Sequence, residues 1–365
     1  MAVVFFTHLR YSRHNRDMNS FSTPWKPDVL GPGFECAQFP LNSDFQGAVI
    51  TSLVRHISDA DPHALPTPTS RPQFAFLAIH GWNDYFYQRE LARHISALGG
   101  AFYALDLRKY GRSHLDGQYW GYIEDLSDYD AEVHAALDAI HHDQGSDVPL
   151  VLYGHSTGGL TAALWADRHP GALAALILNS PWIALQGAAA TRLAAKGATE
   201  SLRRLAPTAI LPIPDSGFYH RTLTGNHLDS GDLPADASSD PFFTTGWEPN
   251  EAWRGKADFA VRAGWFNAIL EGHHAVAAGL SITAPILILT SARSVVSSTW
   301  NTDFLSADSV LTVENIWRQV PSLGASVTLI KLEGAIHDVT FSHRSVRDQA
   351  FSEIGRFLQA WLSPR

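Results

Sequence analysis

From residue 34 onward, short runs of continuous apolar residues alternate with stretches in which apolar positions recur every three or four residues. Residues 34–41 and 48–56 predict a hairpin of opening strands. Residues 74–80 and 101–107 follow, separated by a helix-like stretch at 87–98. Residues 150–154, 173–179, 286–290 and 327–332 complete the series. A strand with one wetted face alternates apolar and polar positions, and these runs do not. They predict strands covered on both sides, hence a mostly parallel sheet of eight strands with helices packed on both faces. The expected fold class is α/β, doubly wound.

The rhythm breaks between Pro181 and Thr283. This stretch is rich in Gly, Pro and aromatic residues, among them Trp182, Phe218, Tyr219, Phe242, Phe243, Trp247, Trp253, Trp265 and Phe266. So long an interruption between two sheet strands reads as an inserted cap. The expected organisation is an N-terminal extension (1–33), a core made of 34–180 and 284–365, and a cap or lid (181–283). The extension could pack on a second copy of the chain in a homo-oligomer. Proline-rich residues 58–71 predict a surface loop.

Composition narrows the function classes. Hydrophobic residues make up 45% and charged residues 17% of the 365, enough for a substantial core. A net charge of −9 gives no positive field for a nucleic-acid backbone and no polybasic patch for an anionic membrane. No window approaches the roughly 18 apolar residues of a membrane span. The lone cysteine, Cys36, cannot form an internal disulfide, and Ala2–Phe6 lies before rather than after the first positive charges, unlike a secretory signal. A soluble cytoplasmic protein is expected. The pairs His141–His142 and His273–His274 lack acidic or cysteine partners at ligand spacing, so no metal and no cofactor are expected.

The most informative string is Val151-Leu152-Tyr153-Gly154-His155-Ser156-Thr157-Gly158-Gly159-Leu160. An apolar strand runs into Gly-x-Ser-x-Gly, and a helical pattern follows at once. A serine hydroxyl is a weak nucleophile, so it must stand on a sharp strand-to-helix turn where a base can reach it. Gly154 and Gly158 remove the side chains that would collide there. The helix that begins after Ser156 aims N–H groups and its positive end at any oxyanion formed beside the serine.

With this turn the sequence resembles the α/β-hydrolase superfamily, and within it the monoglyceride lipase and lysophospholipase-like branch. His80-Gly81-Trp82 follows a strand as the family's oxyanion loop does. Asp106-Leu107-Arg108-Lys109-Tyr110-Gly111-Arg112-Ser113 is similar to the family's D-x-R-G-x-G-x-S segment, departing from it at Lys109. Gly334-Ala335-Ile336-His337-Asp338 is similar to the loop that carries the catalytic histidine. The resemblance spans roughly residues 34–180 and 284–362; the cap matches only in position. It implies an oxyanion hole from the backbone N–H groups of Trp82 and Thr157. The chain order Ser, acid, His that this fold uses makes His337 the expected base.

The acid is displaced. In the family it usually follows the strand that here reads Pro285–Thr290, and the next residues, Ser291 to Val296, hold no carboxylate. A tight positional match lands on Ser294. Asp308, in an Asp308-Ser309-Val310 segment resembling the family's D-x-V, is the expected acid, with Asp303 as the alternative. Residues 292–307 then form an insertion. Asp338, adjacent to His337, is too close in sequence to orient its ring from behind.

The resemblance and these residues together imply a Ser156–Asp308–His337 triad working through an acyl-enzyme. The expected substrate is a carboxylic ester or lactone with apolar or aromatic character, because the aromatic cap predicts an apolar pocket that includes Trp82, His155 and Trp182. Two rival readings remain open. A peptidase or aminopeptidase of the same fold would need an anchor for an amino group, which Asp229, Asp232, Asp236 or Glu248 could supply. A small-molecule receptor would keep the triad residues and use the pocket for binding alone.

Overall fold

The computed structural model describes residues 24–68, 71–185, 204–213, 216–225, 239–254 and 259–362. Strands β1 (Lys26–Pro27), β2 (Phe34–Asp44), β3 (Gly47–His56), β4 (Phe74–Ile79), β5 (Gly100–Asp106), β6 (Leu150–His155), β7 (Ala175–Asn179), β8 (Ile286–Ser291) and β9 (Val327–Leu332) form one sheet. Their order is β1-β2-β3-β5-β4-β6-β7-β8-β9. β1, β2, β3 and β5 pair antiparallel in turn, and every pairing from β5 to β9 is parallel.

Helices α1 (Arg89–Ala97), α2 (Asp130–Gln144), α3 (Thr157–Arg168), α4 (Phe218–Leu223), α5 (Ala263–Ala278), α6 (Val313–Gln319) and α7 (Arg344–Leu362) cover this sheet. Successive residues of a strand face opposite ways, so each apolar run feeds two cores. Leu77 and Ile79 of β4 join one core with Ala136 of α2, Leu160 of α3 and Trp265 of α5. Phe76 and Ala78 join the other with Ile95 of α1 and Ile354 of α7. The helices therefore lie on both faces, as the unbroken apolar runs predict.

The eight expected strands are joined by a ninth, β1. Two residues, one a proline, leave no periodicity to read. β1 is held by pairing to Glu35 and Cys36, by the buried Leu30, and by an ion pair from Asp28 to Arg112 at 2.6 Å. Residues 24–33 are thus tied to the sheet edge and to Arg112, although the sequence placed them in the extension; residues 1–23 lie outside the described residues. No helix among the described residues is long and apolar enough to cross a membrane.

The parallel strands all point their C-terminal ends the same way. The turns after β4, β6, β7, β8 and β9 therefore gather along one edge of the sheet, the edge where α/β folds build sites. Trp182 lies in the turn after β7, and α5 packs against it: His273 Nε2 donates to the Trp182 carbonyl at 2.9 Å.

Burial drives the His273 imidazole down from 6.5 to about 4, only partly offset by that hydrogen bond. The unfolded chain takes up this proton first, so the associated stability is present above pH 6.5 and is lost as pH falls toward 4. Between pH 7.5 and pH 5 this group should remove about 2 kcal/mol of folding free energy. His273→Gln keeps an N–H for the carbonyl and does not titrate. Urea denaturation at the two pH values should show that loss in the wild type and most of it abolished in the variant; an equal loss in both contradicts the assignment.

Candidate active site

Ser156 stands between β6 and α3 with φ 53° and ψ −117°. A non-glycine residue holds such a conformation only where its surroundings over-determine it. Here they do. The Ser156 N–H donates to the Asn179 carbonyl at 3.0 Å, and the Ser156 carbonyl accepts from Gly159 N, Leu160 N and Trp182 N at 3.0, 3.3 and 2.9 Å. The expected glycines are required sterically. A Cβ on Gly154 would lie 2.4 Å from the Gly158 carbonyl oxygen, and one on Gly158 would lie 2.2 Å from that of His80.

The loop after β4 lies directly against this turn, since a Cβ on Gly81 would sit 3.1 Å from Ser156 Cβ. His80 fixes that loop. Its Nε2 accepts from Leu107 N at 3.1 Å and its Nδ1 donates to the Gly81 carbonyl at 2.8 Å. Burial lowers its affinity for a second proton, consistent with a neutral structural ring. Asp106 braces the continuation, accepting from Phe86 N at 2.8 Å while paired with Arg112. Trp82 and Thr157, the expected oxyanion donors, begin the two segments that flank Ser156 on either side of this contact.

His337 occupies the turn after β9 and is 2% exposed. Its Nδ1 meets Asp308 Oδ2 at 2.9 Å, which in the neutral ring places the proton on Nδ1 and the lone pair on Nε2. The other carboxylate oxygen, Oδ1, accepts from Val310 N and Leu311 N at 2.8 and 2.7 Å. The His155 ring, one residue before the serine, is 4.9 Å from that of His337. The elbow and the histidine turn are neighbours.

Asp308 reaches His337 by an indirect route. After β8 the chain leaves the sheet at Ser294, runs out through residues 295–307 and returns so that Ser294 and Asp308 form a parallel bridge. Asp308 N donates to the Arg293 carbonyl at 3.0 Å and Val295 N to the Asp308 carbonyl at 2.8 Å. Ser294, at the position where the family's acid would fall, accepts from Val313 N at the start of α6. Val295, Phe304 and Ala307 give the excursion a small core of its own. Asp303, the alternative acid, lies within it with 59% of its side chain exposed, paired with Arg293 and away from His337.

Two of the aromatic residues expected at the pocket, Trp82 and Trp182, belong to one cluster of rings. The Trp82 ring lies 3.7 Å from Trp265 and 4.7 Å from Phe259, and Trp182 lies 6.1 Å from Trp265. His155 is different: it is buried and turned inward beside Ala78, Phe86 and Gln88, with Nδ1 donating to the Asn179 carbonyl at 3.2 Å. Strand alternation explains this: His155 follows Val151 and Tyr153 onto the face of β6 that feeds the core with Ala78 and Phe86, whereas Trp82 and Trp182, the other residues expected in the pocket, pack on the opposite core. Tyr219 of α4, missed as a site residue, packs edge-on against His337 at 5.3 Å. It is steadied by Arg254, which pairs with the buried Asp84 at 3.0 Å. Only its place in the aromatic-rich cap hinted at this.

Among the described residues no group of three or more His, Cys, Asp or Glu could hold a metal ion. Of the amino-group anchors considered, Glu248 is exposed, and Asp229, Asp232 and Asp236 lie outside the described residues.

A family model described as Hydrolase_4, serine aminopeptidase, S33, matches residues 70–342. A monoacylglycerol lipase of Mycolicibacterium smegmatis is 30% identical over 116 residues, 32% of this chain and 40% of that protein. The match thus spans less than half of the relative's length. Two solved structures share the fold. A soluble variant of monoglyceride lipase from Saccharomyces cerevisiae aligns with a TM-score of 0.57 at 15% identity, covering 89% of this chain and 96% of that one. A thermostable carboxyl esterase from Bacillus coagulans aligns at 0.57 and 16%, covering 90% and 99%.

The steric fit at the serine turn can be tested without any assay of chemistry. The Cβ of Gly158→Ala would collide with backbone oxygens of both Ile79 and His80. Backbone cannot swing aside as a side chain can, so the substitution should cost about 3 kcal/mol or more. A melting temperature equal to that of wild type would show that the turn is looser than described.

Proposed function

The chain belongs to the Hydrolase_4 family of the α/β-hydrolase superfamily, in its monoglyceride lipase-like branch, and from that premise we propose that it is a serine hydrolase of carboxylic esters. The observation that carries this reading is the convergence of a Ser156 held in a strained turn with a neighbouring His337 whose Nδ1 is bonded to a buried carboxylate. Apolar or aromatic acyl groups are the proposed substrates, lactones included, because Trp82, next to the Gly81 that abuts Ser156, and Trp182, whose N–H donates to the Ser156 carbonyl, pack with Trp265 and Phe259 into an aromatic cluster by the serine turn. The resemblance to monoacylglycerol lipases makes a monoacylglycerol the first natural ester to test.

In the proposed mechanism His337 Nε2 removes the Ser156 proton as Oγ attacks the ester carbonyl. The N–H groups of Trp82 and Thr157 take the oxyanion, and Asp308 stabilises the imidazolium. Collapse of the tetrahedral intermediate breaks the bond to the alkoxide, which leaves with the proton from His337. Water, deprotonated by the same nitrogen, then attacks the acyl-enzyme; the acid departs and Ser156 regains its proton. Every bond made or broken is accounted for by these groups and water.

The family's description keeps aminopeptidase activity as the second reading. Substrates separate the two: p-nitrophenyl esters, a monoacylglycerol and a lactone on one side, aminoacyl amides on the other. Ester turnover should be lost in Ser156→Ala together with labelling by an organophosphonate. Asp308→Asn should lower kcat by several orders of magnitude, on the order of the 10⁴-fold seen when a triad acid is neutralised, whereas Asp303→Asn should remain near wild type. Turnover of aminoacyl amides without esters would select the second reading, and a near-normal Asp308→Asn would remove Asp308 from the triad.

A further inference from the structure

Asn179 is the last residue of β7, paired in register with His155, and is fully buried. Its carbonyl oxygen accepts two N–H groups from the serine turn: the Ser156 amide at 3.0 Å and His155 Nδ1 at 3.2 Å. Its side chain reaches the other way. Nδ2 donates to Asp338 Oδ1 and to the Tyr153 hydroxyl, both at 2.6 Å, and Oδ1 accepts from Val339 N at 3.2 Å. Asp338 and Val339 are the two residues that follow His337. One side chain and its own carbonyl therefore bridge the turn that carries the serine and the turn that carries the histidine.

Asp338 is built to receive that bridge. Its Oδ1 also accepts from Thr340 N and Thr340 Oγ1 at 2.9 and 2.7 Å, and Gln88 Nε2 approaches Oδ2 at 3.4 Å. Burial alone would push this carboxyl up, but nearby His155 and the bonds from Thr340 and Asn179 hold it below its ordinary value. A buried carboxylate so fully satisfied is a rigid anchor rather than a spare acid.

We propose that Asn179 and Asp338 are positioning residues, a clamp that sets the distance and angle between Ser156 and His337 by tying both turns to the end of β7. This rests on the serine-hydrolase reading above. Neither residue contacts substrate or carries a proton in the reaction. The clamp acts because attack on a carbonyl tolerates little misplacement, and a shift near 1 Å can cost about 100-fold in rate.

Purified full-length variants test it with a p-nitrophenyl ester, together with the rate of Ser156 labelling by an organophosphonate. Asn179→Ala and Asp338→Ala should each lower kcat and the labelling rate by about 100-fold while KM changes less than about threefold. Asp338→Asn retains the acceptor oxygen for Asn179 and Thr340 and should recover to within about fivefold of wild type, a rescue that gross destabilisation would not allow. Should the alanine variants fail to fold, Asn179→Leu, close in size but without any hydrogen-bonding group, should show the same loss beside a normal circular dichroism spectrum. Wild-type kcat and labelling in folded Asn179 variants would overturn the clamp. So would an Asp338→Asn as impaired as Asp338→Ala, which would mean that the charge and not the hydrogen bond matters. A wild type that neither turns over esters nor is labelled would instead overturn the hydrolase reading itself.

Discussion

A hydrogen bond between His337 Nδ1 and Asp308 Oδ2, 2.9 Å long and almost wholly removed from water, is the contact on which the site's arrangement turns. The carboxylate can be buried because two backbone N–H groups and the imidazole satisfy it. In return it sets which nitrogen of the ring carries the proton. With the lone pair on Nε2, the ring can act as a base toward Ser156 in the proposed chemistry; with the tautomer reversed it could not.

That contact asks for strict scaffolding, since its two partners arrive on separate loops and the serine on a third. The parallel sheet supplies this by ending β4, β6, β7, β8 and β9 along one edge. Buried polar side chains then bind the loops to one another. Asn179 links the serine and histidine turns, the Ser294–Asp308 bridge returns the acid to the sheet edge, and Asp84 with Arg254 holds Tyr219 against His337. Each of these groups has partners for its polar atoms, which is what makes a polar network a rigid one. The apolar cores on the two faces keep the strands in place, but they do not aim the loops.

Much of this was legible in the residues alone, for definable reasons. Unbroken runs such as 74–80 and 150–154 could only be strands covered on both faces. Gly154 and Gly158 could be read because the turn they serve has one steric solution. Asp308 could be named from its neighbours, yet nothing in residues 295–307 disclosed that the excursion returns beside Ser294, because that return depends on backbone pairing and on the packing of Phe304. β1 was invisible, being two residues long. The direction of His155 was not legible because it follows from which face of β6 meets which core, and the motif does not carry that. Asn179 carried no motif, as its importance comes wholly from what faces it across the sheet edge.

The arrangement of the site requires that Asp308 hold a proton on His337 Nδ1. Proton NMR of the protein in water, with selective ¹⁵N labelling of histidine, observes that proton directly. A strongly downfield Nδ1–H resonance, protected from exchange, should belong to His337 and disappear or move far upfield in Asp308→Asn while persisting in Asp303→Asn. A downfield resonance unchanged by Asp308→Asn, or a neutral His337 that carries its proton on Nε2, would contradict it.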